Sequence, residues 1–203
     1  MNSKQLVLAS QSPRRVELLT QIGLTFIQKP ADIDETPAAG EAPLDYVVRM
    51  AKEKAQQVYQ LQNEKAQSNG AKVDMVVLGS DTIGECAGTI LVKPTDYSDF
   101  CAMMQMMSGQ SHFVHTAIAI QTQDRLEAMS VTTEVEFARL SEAQIRWYWQ
   151  SGEPQDKAGG YGIQGLGAQF VKQIKGSYSA VVGLPLYETI TLLDKVGIQP
   201  HER

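Results

Sequence analysis

Four apolar residues without polar alternation, Leu6-Val7-Leu8-Ala9, run directly into Ser10-Gln11-Ser12-Pro13-Arg14-Arg15. An unalternating apolar strand must be covered on both faces, which confines the chain to a layered α/β arrangement. Ser12 stands where a helix N-cap is wanted, and Pro13 suits the first helical position. Arg14 and Arg15 then break a local rule. They put positive charge in the first helical turn, where the macrodipole is already positive. Such mismatches concentrate at working sites. Free N–H groups, the dipole and two guanidinium forks together make a phosphate receptor. The competing reading is two solvated arginines on a surface helix.

The rest of the chain continues the α/β pattern. The first helix is predicted over 13–22 and stops at Gly23, and a second strand over 25–28. Residues 29–43 read as a Pro- and Ala-rich loop carrying Asp32, Asp34 and Glu35. An amphipathic helix is predicted over 44–62, with Leu44, Val47, Val48, Ala51, Ala55 and Val58 on one stripe. Lys52 and Lys54 flank that stripe, and either can extend from it toward a ligand. Residues 63–72 read as a polar loop. A second continuous apolar strand over 75–79 ends in Ser80-Asp81-Thr82.

A short strand over 90–92 precedes Lys93-Pro94, and a helix over 95–107 follows. Its cluster Met103-Met104-Gln105-Met106-Met107 reads as core filler. Strands are predicted over 113–121 and 128–138. The second alternates Val131, Thr133, Val135 and Phe137 with Thr132, Glu134 and Glu136, a sign of antiparallel pairing with one wet face. Ser141-Glu142-Ala143-Gln144 is a capping-box pattern opening a helix to about Gln150, with Trp147 and Trp149 on different faces. A glycine-rich stretch over 156–167, a strand over 170–174 and a helix over 185–196 complete the pattern. The expectation is an α/β fold with a mixed central sheet and flanking helices, as a single domain over 1–203.

The net charge of −5 argues against a nucleic acid polymer as partner, which needs a basic face. A small anion remains compatible, because a positive pocket can sit on an acidic protein. Cys86 and Cys101 have no zinc-like spacing, and His112, His115 and His201 form no ligand cluster. No signal peptide or membrane-spanning run is visible, so the expectation is a soluble, cytoplasmic protein.

Open α/β sheets bind ligands beyond the carboxyl ends of their strands. That favours one site for Ser10, Arg14, Arg15 and Asp81, against Asp81 as a cap of its own turn. Lys54, Lys93 and Lys157 are each unremarkable alone. With the two arginines they make five cations, a number suited to a triphosphate. Asp34, Glu35 and Asp81 are candidate Mg²⁺ ligands, since that ion takes few carboxylates plus substrate oxygens and water. The alternative for Asp34-Glu35 is a solvated acidic loop. The run Gly159-Gly160-Tyr161-Gly162-Ile163-Gln164-Gly165-Leu166-Gly167 is not a dinucleotide fingerprint. Its glycines permit close backbone approach, and the Gln164 amide matches the N–H beside a carbonyl of thymine or uracil. A flipped amide also matches cytosine. A donor-only group such as Arg14 favours a carbonyl over an amino group.

These segments, in order, resemble the Maf family of nucleoside triphosphate pyrophosphatases. The resemblance runs from Leu8-Ala9-Ser10-Gln11-Ser12-Pro13-Arg14-Arg15 through Asp32-Ile33-Asp34-Glu35, Lys52-Glu53-Lys54-Ala55 and Gly79-Ser80-Asp81-Thr82-Ile83. It continues through Lys93-Pro94, Ser108-Gly109-Gln110, Asp156-Lys157-Ala158-Gly159 and Tyr161-Gly162-Ile163-Gln164-Gly165. It ends with Gly176-Ser177-Tyr178 and Val182-Gly183-Leu184-Pro185. The resemblance implies two lobes around a cleft, as in Maf and ITPase-like folds, and a homodimer. It implies hydrolysis of a nucleoside triphosphate to monophosphate and pyrophosphate with a divalent metal cation, Mg²⁺ or Mn²⁺. It makes Asp81 the proton acceptor, Ser10, Arg15, Lys54 and Lys93 the phosphate holders, and Glu35 a metal ligand with Asp81. Arg14, Thr82 and Gln164 match the specificity positions of the subgroup acting on dTTP and UTP. The alternatives are a pyrophosphatase for modified purine nucleotides such as methylated GTP and a non-catalytic regulator of septum formation. Ser80, Gly84, Val92 and Gly160 depart from the residues common in the family.

Overall fold

The computed structural model describes residues 4–70 and 74–200. Its elements are β1 (Gln5–Ala9), α1 (Pro13–Gln21), β2 (Ile27–Gln28), α2 (Pro43–Ser68), β3 (Met75–Cys86), β4 (Thr89–Leu91), α3 (Tyr97–Met107), β5 (Ser111–Gln121) and β6 (Leu126–Phe137). Then come α4 (Glu142–Gln150), three short 3₁₀ turns between Glu153 and Phe170, β7 (Val171–Lys175), α5 (Tyr178–Val182) and α6 (Leu186–Asp194). The sheet order is β2-β1-β3-β5-β6-β7, with β4 paired to β3. β1 runs parallel to both β2 and β3, while β3–β4 and β6–β7 are antiparallel. The fold is therefore a mixed α/β sheet with flanking helices. No helix among the described residues is long and apolar enough to cross a membrane.

Contacts divide the chain into two compact units, one from segments 1–81, 116–130 and 183–203, the other from 82–115 and 131–182. In the first, Leu6 to Ala9 of β1 and Met75 to Leu78 of β3 are buried, as unalternating strands require. Helix α2 lies against β3 at Gly79. A Cβ there would come within 2.2 Å of the Ala51 carbonyl oxygen and 2.8 Å of the Ala55 nitrogen. Glycine is thus what lets the helix backbone approach the strand.

The second unit closes around Phe100, Met104, Met107, Phe137, Tyr148 and Phe170. Met103, Met104 and Met107 are buried, in keeping with their reading as core filler. The Ser141–Gln144 capping box forms as expected. Gly160 adopts φ +68°, and a Cβ there would lie 2.8 Å from the Phe100 ring, so glycine permits this close approach.

Four expectations are corrected. Helix α2 continues through Ser68 rather than stopping at 62. Residues 63–68 are mostly good helix formers, and Ala66 gives the last turns a buried anchor. Val47, Ala51, Ala55 and Val58 of the predicted stripe are buried, but the stripe widens toward Tyr46, Met50 and Lys54, which are buried too, while Leu44 is exposed and Val48 half-buried. Strand β3 does not end at Gly79 but runs through Asp81 to Cys86, so Asp81 is not a turn cap. Ser12 occupies the N-cap of α1 without a side-chain capping bond. Helix α5 is an element the sequence pattern does not predict. Residues 71 and 72 of the predicted loop, and His201, lie outside the described residues.

His112 on β5 is buried with its Nε2 2.8 Å from the Tyr161 hydroxyl and its ring edge-on to Phe137. Among the described residues its Nδ1 has no hydrogen-bond partner. Burial pushes this imidazole down to about 4. The unfolded chain takes up the proton first as pH falls, so the neutral ring stabilises the fold above about pH 6.5 and that contribution disappears between 6.5 and 4. Urea unfolding across this window should show up to about 3 kcal/mol of acid destabilisation, by the conversion of pKa shift to free energy, that His112→Gln abolishes. An unchanged slope in the variant would remove this role. Gly79→Ala should cost about 2–3 kcal/mol in the same assay, the scale of overpacking against backbone that cannot yield. Wild-type stability in that variant would show that α2 is free to retreat.

Candidate active site

The parallel register of β1 and β3 ends with Ala9 opposite Gly79. Ser10 directly follows Ala9 at the carboxyl end of β1, where open α/β sheets place their ligands, and Asp81 lies two residues beyond Gly79 on the part of β3 that runs on past β1. Residues 79 and 81 share one face of β3, because side chains alternate along a strand. Gly79 meets α2 on that face, and Asp81 meets Lys54 of α2.

The Lys54 ammonium lies 2.7 Å from Asp81 Oδ1 and 2.8 Å from Glu35 Oε1. Lys54 and Asp81 are both buried, at 7% and 8% exposure, so the pair has left bulk water behind. Such a charge is tolerable only when matched by opposite charge and hydrogen bonds. Two carboxylates from distant chain segments thus converge on one cation.

Arg15 is buried and held on two sides. Its Nε donates to the Gly183 carbonyl at 2.8 Å and its Nη1 to Ser10 Oγ at 3.0 Å. The Ser12 amide also donates to Ser10 Oγ, at 3.2 Å. Burial lowers the Arg15 pKa; Asp81 opposes that shift, and Arg14 adds to it. A guanidinium nevertheless remains charged in a protein. Ser80 Oγ donates to the same Gly183 carbonyl at 3.2 Å. Gln28 Nε2 donates to the Ser10 carbonyl at 2.9 Å.

The first unit therefore brings together Ser10, Arg15, Glu35, Lys54 and Asp81. Arg14, in the same first helical turn as Arg15, is half-buried. Asp34 is not part of the cluster: its Oδ1 accepts from the Thr36 amide at 2.9 Å, and bonding to Thr36 lowers its pKa. Among the described residues no group of three or more His, Cys, Asp or Glu is arranged to hold a metal ion.

Thr82, Lys93 and Gln164 belong to the second unit. Thr82 is half-buried on β3, while Lys93, just after β4, and Gln164 are exposed. Lys157 is spent locally, donating to the Glu153 carbonyl at 2.7 Å and to Asp156 Oδ1 at 2.6 Å. The glycine-rich segment around Gln164 is organised by Glu153. Its carboxylate accepts from the Leu166 and Gly167 amides, at 2.7 and 3.1 Å, and from the Tyr148 hydroxyl at 2.7 Å. A Cβ at Gly165 would fall 2.3 Å from Glu153 Oε2, so this glycine admits the carboxylate. The sequence carries no signal for Glu153 or Gln28, whose partners are largely backbone groups that no residue spacing advertises, and it names Gly183 only within the Val182-Gly183-Leu184-Pro185 motif.

The family model described as Maf-like protein matches residues 5–196. A protein of Pseudoalteromonas atlantica named dTTP/UTP pyrophosphatase is 50% identical over 97% of this chain and 99% of its own. One of Colwellia psychrerythraea with the same name is 51% identical over 96% of this chain and 90% of its own. The solved Staphylococcus aureus Ham1 protein aligns over 66% of this chain and 72% of its own, at 13% identity and a TM-score of 0.41. With the family match spanning nearly all of the sequence, and relatives at half identity over nearly their whole length, this chain belongs to the Maf family.

Proposed function

We propose that this chain is a nucleoside triphosphate pyrophosphatase that hydrolyses dTTP and UTP to the monophosphate and pyrophosphate. The observation that carries the reading is the meeting of Asp81 and Glu35 on the Lys54 ammonium, beside the anchored Arg15–Ser10 pair. The dTTP/UTP pyrophosphatase name of relatives at about half identity supports the substrate class.

Water attacks the α-phosphorus in line with the bridging oxygen. The new O–P bond forms as the bond to the β-phosphate oxygen breaks, and pyrophosphate departs. Asp81 orients the water and accepts its proton. Ser10, Arg15, Lys54 and Lys93 hold the phosphates and stabilise charge on the leaving group. Arg14, Thr82 and Gln164 select the base, with Gln164 offering an acceptor and a donor to the N–H and carbonyl of a uracil or thymine edge.

A divalent cation fits the donor set. Asp81 and Glu35 already share one cation, and Mg²⁺ takes one or two protein carboxylates with the remaining ligands from phosphate and water. Mg²⁺ or Mn²⁺ held by those two residues supplies neutralisation of triphosphate charge. The proposal extends to a cytoplasmic homodimer, its assembly readable by light scattering.

Pyrophosphate release should be measured on dTTP, UTP, CTP and methylated GTP, with and without metal. Release from dTTP and UTP should dominate and require the cation. Asp81→Asn should lose about 10²–10⁴-fold in kcat, the usual contribution of a positioned proton acceptor. Full turnover in Asp81→Asn would overturn its role. Gln164→Ala and Arg14→Ala should change the relative rates among the four nucleotides more than they change stability. A methylated GTP preference would redirect the substrate reading.

A further inference from the structure

Glu35 sits on a loop, residues 29–42, that has no regular secondary structure. A carboxylate on such a segment samples many positions unless the backbone beneath it is tied down. Helix α2 ties it down. The Tyr46 hydroxyl donates to the Glu35 carbonyl oxygen at 2.7 Å. Arg49 Nη2 donates to the neighbouring Thr36 carbonyl at 3.2 Å. Gln57 takes both backbone groups of Asp32: its Oε1 accepts from the amide at 2.8 Å, and its Nε2 donates to the carbonyl.

These three side chains lie along one ridge of the helix. Tyr46 and Arg49 are three residues apart, and Glu53 and Gln57 continue the ridge at intervals of four. The loop crosses that ridge in the opposite chain direction, with Asp32 at Gln57 and Glu35 at Tyr46. Arg49 is itself fixed by Glu41, whose two carboxylate oxygens it meets at 2.7 Å each. Glu41 in turn accepts from the Ala38 amide at 3.0 Å. The loop is therefore fastened before, at and after Glu35. Burial, with Asp81 and Glu35 adding negative potential, pushes the Tyr46 phenol up to about 12, so its hydroxyl stays a donor at working pH.

We propose that Tyr46, Arg49 and Gln57 are positioning residues that strap the acidic loop to α2 and hold the Glu35 carboxylate over Lys54 beside Asp81. They touch backbone rather than reacting atoms. The inference rests on the proposed pyrophosphatase reading for its kinetic consequence, though not for the strap itself.

Two variants test it. Tyr46→Phe keeps the buried ring and deletes the bonding oxygen; Gln57→Ala cuts the strap at its other end. Each should speed hydrogen exchange at the Asp32 to Thr36 amides at least tenfold, with Tm within about 2 °C of wild type by the usual tolerance of conservative changes. Each should also raise the Mn²⁺ concentration giving half-maximal dTTP hydrolysis about five- to thirtyfold, with kcat at saturating metal within about threefold, a span matching one lost hydrogen bond of about 1–2 kcal/mol. In a Glu35→Gln background neither variant should shift the metal dependence further, because the group being positioned has lost its charge. Unchanged exchange across the loop overturns the strap. Equal shifts in the native and Glu35→Gln backgrounds overturn the positioning of Glu35. If the wild-type chain hydrolyses none of the nucleotides, the functional reading fails, and the exchange measurement alone decides for or against the strap.

Discussion

A lysine ammonium taken out of water must find its charge compensation inside the fold, and at Lys54 it finds two carboxylates. That requirement organises the first unit. Asp81 reaches the ammonium because β3 runs on past the end of its pairing with β1. Lys54 reaches Asp81 because α2 lies against Gly79 at a distance that no side chain allows. The helix–strand approach and the ion pair are one constraint seen twice: without close approach the pair would be wet and weak, and without the pair a buried ammonium would stand uncompensated.

The neighbouring cation follows a different logic. Arg15 uses its Nε and one terminal nitrogen on Gly183 and Ser10, so its guanidinium plane is fixed before any ligand arrives. Burial disfavours its charge, yet a guanidinium does not give up its proton, and the cost is met by these hydrogen bonds and by the nearby Asp81. A fixed cation loses little freedom on binding an anion, which is the condition for preorganised electrostatic stabilisation. The two arginines that oppose the helix dipole in sequence therefore do not share one fate: Arg15 is built into the fold, and Arg14 stands half-buried beside it.

The parts legible in sequence are those written in local periodicity. The unalternating runs of β1 and β3, the alternation of β6 and the capping box of α4 each rest on neighbours two to four residues apart. The full length of β3 is not legible because its apolar run stops at Gly79 while its pairing does not; the continuation is supplied by β4, which joins Gly84 to Cys86. The length of α2 is hidden because its last turns are polar and Ala66 alone anchors them among the described residues. At the site, the residue types were readable but their grouping was not. Glu35 and Asp34 are adjacent and chemically alike, yet one pairs with Lys54 and the other closes its own turn on Thr36. That choice is made by the backbone ties of the loop to α2, which no one-dimensional pattern records.

The contrast between Asp81 and Glu35 bears on how such a site can work. Asp81 rides on a strand whose position is set by hydrogen-bonded neighbours, whereas Glu35 rides on a loop held by three helix side chains. A group that must accept a proton from a water at a fixed line of attack gains from the stiffer support, since small misplacements there are costly. A group that meets a hydrated cation arriving with its substrate gains from a support that is ordered yet detachable. Cutting one tie then loosens the carboxylate without unfolding the strand beneath the reaction. The same helix serves both: its buried face packs on β3 and presents Lys54 to Asp81, and its adjoining ridge clasps the loop. Any change in the seat of α2 on β3 must therefore move the two carboxylates relative to one another, even when neither is altered itself.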